Sequence, residues 1–201
     1  MSLPAPVRDC AVEMDTVVGR QGRDRQRLLS LFFRLMRSRL YVLLPSGEAA
    51  DVVAALARLR ALCGDAEYGR LFATVLTDRG SEFSDVAGIE AAGGDRPLTR
   101  LFFCDPRQSQ QKGGCERCHE ELRRVLPKAR TDFDALTAAD AARCTSHVNS
   151  YLRDSLGWAS PVAVARYVFP EGLLEALGVS EVPAAEVNLT PSLVPHAVVR
   201  L

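Results

Sequence analysis

Three carboxylates stand in surroundings suited to chemistry on phosphate: Asp15 in Val12-Glu13-Met14-Asp15-Thr16-Val17, Asp78 in Leu76-Thr77-Asp78-Arg79-Gly80-Ser81-Glu82-Phe83, and Glu116 in Gln111-Lys112-Gly113-Gly114-Cys115-Glu116. Two belong to β-branched, strand-like runs and the third opens a helical stretch, so a fold can bring all three to one end of a sheet. Three acidic side chains supply the negative charge needed to hold two divalent cations roughly 4 Å apart while leaving positions open for phosphate and water. The expected cofactor is therefore a pair of Mg²⁺ or Mn²⁺ ions, with Asp15, Asp78 and Glu116 as catalytic metal ligands. Glu82 and Asp105 read as local hydrogen-bonding groups, with approach to a metal through water as the alternative for either.

These residues need a scaffold, and the patterning implies one. Residues 10–18 read as a strand ending at Gly19. The apolar runs 28–36 and 39–44, closed by Pro45-Ser46-Gly47, complete a three-stranded antiparallel meander. Val52, Val53, Leu56, Leu59 and Leu62 recur at helical spacing over 47–63, with Ser46 as candidate N-cap. Phe72 to Thr77 is a buried strand with Asp78 at its C-terminal end, and Arg100 to Cys104 is another. From Gly114 a helix places Glu116, Glu120 and Arg123 on one face and Cys118, Leu122, Val125 and Leu126 on the other. A helix from Ala138 to Ser155 capped by Thr137, a short one near 162–167, and another around Leu173, Leu174 and Leu177 follow. Three antiparallel strands followed by alternating helices and strands make an α/β, RNase H-like mixed sheet. The expected division is a leader over 1–9, a core over 10–168 and a tail with a short helix over 169–201.

The 201 residues are 47% hydrophobic and 25% charged, enough for one good core, and no apolar run approaches the length of a membrane span. Without a secretion signal, the expectation is a soluble cytoplasmic protein with no membrane partner. Net charge is zero, but residues 1–45 carry eight Arg against four acids, and residues 100–131 carry eight Arg or Lys against four acids. Those two blocks contain Asp15 and Glu116, which implies a positive rim around a carboxylate site. The six cysteines read as free thiols in a reducing compartment. Cys115-Glu116-Arg117-Cys118-His119 fits a haem-attachment pattern and also half of a zinc site, for which Cys144 and His147 would have to supply the second half.

Glu13-Met14-Asp15-Thr16-Val17, Leu76 to Phe83, Phe103-Cys104-Asp105-Pro106, Gln111 to Glu116, Arg123-Arg124-Val125-Leu126-Pro127-Lys128 and His147-Val148-Asn149-Ser150-Tyr151 resemble, in order and with compatible spacing, the integrase catalytic core of insertion-sequence family thirty transposases. Leu156-Gly157-Trp158-Ala159-Ser160-Pro161 resembles the close of that core. The resemblance implies a D-D-E site at Asp15, Asp78 and Glu116, DNA strand cleavage followed by strand transfer, and transposon ends and target DNA as partners. It also implies a DNA contact at Arg123, with Lys112 placed to do likewise, a structural role for Asn149, and assembly as a homo-oligomer or with a full-length transposase; Arg79 is a further candidate for contact with DNA. Two departures stand out. Arg79 replaces the usual Asn beside Asp78, where it would either pair with Glu82 or repel a metal. The family's N-terminal helix-turn-helix region does not precede the core, so the alternative expectation is a truncated, catalytically weak remnant that binds DNA or co-assembles with a complete transposase.

Overall fold

The computed structural model describes residues 7, 9–104 and 113–198, and for 113–118 the backbone alone. Strands β1 (Val12–Val18), β2 (Arg27–Phe33) and β3 (Ser38–Leu44) form the expected antiparallel meander. Strands β4 (Thr74–Thr77) and β5 (Arg100–Phe103) join β1 in parallel, giving the order β3-β2-β1-β4-β5. Strict alternation decides the layers. Val12, Met14, Leu29, Leu31, Phe33, Leu40 and Leu44 face one hydrophobic core, whereas Val17, Leu28 and Tyr41 face a second. A sheet buried on both faces needs helices on both, and it has them.

Helix α1 (Ala49–Cys63) and the short α2 (Asp65–Leu71) carry the chain from β3 to β4, burying Val52, Leu56, Leu59 and Tyr68 in the first core. Ser46 is not the N-cap of α1. Glu48 holds that position without a side-chain cap, and the Ser46 hydroxyl donates to Asp51 instead. Helix α3 (Val86–Ala91), capped by Asp85, fills the link from β4 to β5. Both α2 and α3 are additions to the expected element order; at seven and six residues neither holds enough turns to show a periodic stripe. On the second face lie α4 (Gly113–Val125) and α5 (Ala138–Ser150), the latter opened by a reciprocal capping box between Thr137 and Asp140.

Helix α5 ends at Ser150, five residues short of the expected Ser155, because its last turn is committed to other segments. The Ser150 hydroxyl accepts from Val182 N, the Ser146 hydroxyl from Ser180 N and His147 Nδ1 from Asn188 N. These bonds lay the C-terminal residues along the helix. After α6 (Pro161–Val168) and α7 (Leu173–Ala176), Val179 seals the first core, and Val194 and Ala197 seal the second.

The same helix closes the sheet's open edge. Among the described residues strand β3 has no outer neighbour, so its outward N–H and C=O groups would be left unpaired. Asn149 accepts from Arg39 N at 2.9 Å and donates to Arg39 O at 2.7 Å, while the Thr145 hydroxyl accepts from Tyr41 N at 3.1 Å. The Arg39 side chain then pairs with Glu121 of α4, whose carboxylate also binds Arg153. Asn149→Ala therefore strands two buried backbone groups at once and should cost about 2–4 kcal/mol in urea denaturation. A loss below about 0.5 kcal/mol would show that water satisfies the edge equally well.

A second fastening lies at the β1–β2 turn. Buried Asp24 accepts from Arg20 N, from the Arg20 guanidinium and from Phe133 N, and Arg20 also pairs with Asp132. Burial disfavours charge on Asp24, yet these donors outweigh it and hold the carboxyl below its usual 3.8. A carboxyl held low contributes stability that is present above its unfolded value and lost as pH falls through the folded one. Melting curves of native chain and Asp24→Asn should therefore lie well apart at neutral pH and draw together on acidification below pH about 4. A separation independent of pH would contradict the assignment.

Candidate metal centre

The parallel pairing of β1 and β4 matches Val12 with Val75 and Glu13 with Leu76. Strand β4 stops at Thr77 whereas β1 runs on to Val18, so the gap between the strands opens just past this point. Asp15 and Asp78 each lie two residues beyond the register pair Glu13 and Leu76, so alternation puts them opposite one another on one face. That face is the one packed against α4. One residue earlier, the fully buried Thr77 hydroxyl donates to Met14 O at 2.9 Å and locks the two strands together.

Each carboxylate is oriented by backbone. Thr16 N donates to Asp15 Oδ1, and Gly80 N donates to Asp78 Oδ1 in a tight turn, both at 2.9 Å. The turn continues into a single 3-10 turn, Ser81–Phe83, anchored by Phe83 in the first core. The Asp15 side chain keeps 20% of its surface exposed, so an ion can reach it without unfolding. Two hard oxygen donors, one from the middle of β1 and one just past the end of β4, suit Mg²⁺ or Mn²⁺.

Helix α4 closes over this edge. His119 Nε2 stands 3.9 Å from Asp15 Oδ2. Glu116 is one turn earlier on α4, so the helix that carries it runs past Asp15; its side chain lies outside the described residues, as do those of Cys115 and Cys118. Lys112 also lies outside them. Arg123 does not share the solvated face expected for it: its guanidinium turns inward and donates to Val18 O at 2.7 Å, bracing the end of β1, and burial pulls its pKa down. Arg79 is exposed and lies over the Phe103 ring, 5.9 Å from its centroid. It forms no ion pair with Glu82, which accepts from the Thr16 hydroxyl at 2.5 Å. No local sequence signal announces that bond, because its partners are 66 positions apart.

Among the described residues, one further acidic group has ligand-like spacing: Asp24, Asp132 and Asp134. Arg20 occupies Asp24 and Asp132, and Asp134 accepts from Arg25 N and Gln26 N. The carboxylates of this group are already engaged, by one guanidinium and by backbone N–H groups. Cys144 cannot complete a zinc site with His147, since it is sealed among apolar side chains that push its thiol up to about 12, and His147 Nδ1 already accepts from Asn188. Cys10, Cys63 and Cys144 carry free thiols. No helix among the described residues is long and apolar enough to cross a membrane.

No protein-family model matches the chain. A transposase for insertion sequence element IS1086 from Cupriavidus metallidurans is 32% identical over 136 residues, covering 67% of this chain and 37% of that protein. A putative integrase of Spiroplasma virus SpV1-R8A2 B is 29% identical over 149 residues, 74% of this chain and 43% of the viral protein. The chain thus spans less than half the length of either relative. Among solved structures, the catalytic core domain of BIV integrase superposes with a TM-score of 0.53 at 16% identity, covering 78% of this chain and 93% of that domain. The HTLV-2 integrase catalytic core domain in complex with magnesium gives 0.55 at 11% identity, covering 78% and 95%. A simian T-cell lymphotropic virus intasome chain gives 0.58 at 15% identity, covering 78% and 54%. By sequence the chain is related to insertion-sequence transposases, and its fold is the RNase H-like fold of integrase catalytic cores.

Proposed function

We propose that this chain is the catalytic core of a transposase that cuts a DNA strand and transfers the freed 3′-hydroxyl to target DNA at a site built from Asp15, Asp78 and Glu116. The observation that carries the reading is the register of β1 on β4, which sets Asp15 beside Asp78 under the helix bearing Glu116. A bound pair of Mg²⁺ or Mn²⁺ ions would supply the positive charge that activates the attacking oxygen and stabilises the leaving one. The protein's part is positional: backbone N–H groups aim the two carboxylates, and Arg123 steadies the strand end through Val18. Exposed Arg23, Arg25, Arg79, Arg124, Lys128 and Arg130 provide positive charge for the phosphate backbone.

DNA ends and target are the proposed partners, with assembly as a homo-oligomer or with a full-length transposase, and the proposed compartment is the cytoplasm. The 32% identity to a transposase favours this reading over a thiol or haem protein. Labelled duplex carrying the flanking inverted repeats tests it, with Mg²⁺ or Mn²⁺ added. Native chain should nick and join strands, and Asp15→Asn or Asp78→Asn should reduce both by at least about 10²-fold, the scale of losing a preorganised electrostatic group. Undiminished activity in Asp78→Asn would refute the assignment.

A further inference from the structure

Thr16 follows Asp15, and Glu82 lies four residues beyond Asp78; their side chains meet at 2.5 Å across the open gap between β1 and the loop after β4. We propose that this bridge is the positioning device that fixes how far apart the two metal-binding carboxylates stand, an inference that rests on the metal-centre reading above. Four contacts run in a chain from one acid to the other. Thr16 N holds Asp15 Oδ1, the Thr16 hydroxyl donates to Glu82 Oε1, the Glu82 carboxylate folds back over Gly80, and Gly80 N holds Asp78 Oδ1.

Gly80 leaves room in that chain of contacts. A Cβ there would stand 2.5 Å from Glu82 Oε2 and 2.8 Å from Glu82 Cδ, so the carboxylate would have to shift from the place where it reaches Thr16. The bridge also sits on the correct side. By strand alternation Thr16 points to the face opposite Asp15, toward the core that takes Phe83, so it braces the gap from beneath and leaves the acidic face clear. A hydroxyl donating to a carboxylate is a charge-assisted bond, stronger than one between neutral groups, which suits a tie that must resist repulsion between two neighbouring carboxylates. Arg79, turned over Phe103, does not compete for Glu82. Thr77 to Met14 O and Thr16 to Glu82 thus fasten the strands just before and just after the two acids.

The test is Mn²⁺ affinity of the full chain, read from loss of the free-ion electron paramagnetic resonance signal, with melting temperature recorded alongside. Thr16→Val keeps the shape and removes the donor; it should weaken Mn²⁺ about 10-fold, the range seen when a partner of a metal ligand is lost. Thr16→Ser should restore native affinity. Glu82→Ala should match Thr16→Val, and the double variant should be no weaker than either single one, since both break the same tie. Glu82→Ala alone decides the matter if Thr16→Val fails to fold. Native Mn²⁺ affinity in a folded Thr16→Val or Glu82→Ala, or additive losses in the double variant, would overturn the proposal. Equal Mn²⁺ binding by native chain and Asp78→Asn would overturn the metal-centre reading itself, and the bridge with it.

Discussion

The proposed chemistry depends on one pairing, the short parallel contact between β1 and β4. It lasts only through Val12↔Val75 and Glu13↔Leu76, and where it stops two acids from distant parts of the sequence arrive side by side. A shift of one residue would send either carboxylate to the opposite face, into the core that holds Met14 and Val75. Register is therefore enforced. Val12 and Met14 must stay buried, the Thr77 hydroxyl must find Met14 O, and buried Glu13 must stay paired with Arg34.

The rest of the fold serves to keep that junction rigid while leaving it accessible. Both faces of the sheet are covered, and the exposed edge at β3 is satisfied by Asn149 and Thr145, so α5 is fixed to the sheet by hydrogen bonds as well as by packing. Through Glu121, α4 is fastened to Arg39 and Arg153, and through Arg123 it holds the last carbonyl of β1. The helix that carries Glu116 is thus secured at points away from the acidic face. Rigid elements with a site at their ends hold ligand geometry better than loops do.

Much of this was legible in the sequence, for identifiable reasons. The meander, α1 and the position of Asp78 at the end of β4 follow from alternation, helical spacing and Asp before a Gly turn, all of which are short-range signals. Thr137 with Asp140 announced the start of α5 for the same reason. What escaped depends on partners far along the chain. The inward turn of Arg123 toward Val18, the Thr16 to Glu82 bond and the early end of α5 are set by tertiary contacts that no window of neighbouring residues contains. Ser46 had the right residue type for a cap, but stood two residues before the position where a cap was needed.

The central claim is that the β1–β4 junction is a metal centre. Anomalous diffraction from crystals of the chain grown with Mn²⁺ tests it most directly. The account predicts a strong peak between the carboxylates of Asp15 and Asp78, on the side of α4. Absence of a peak there at saturating Mn²⁺, or a peak solely among Asp24, Asp132 and Asp134, would contradict it.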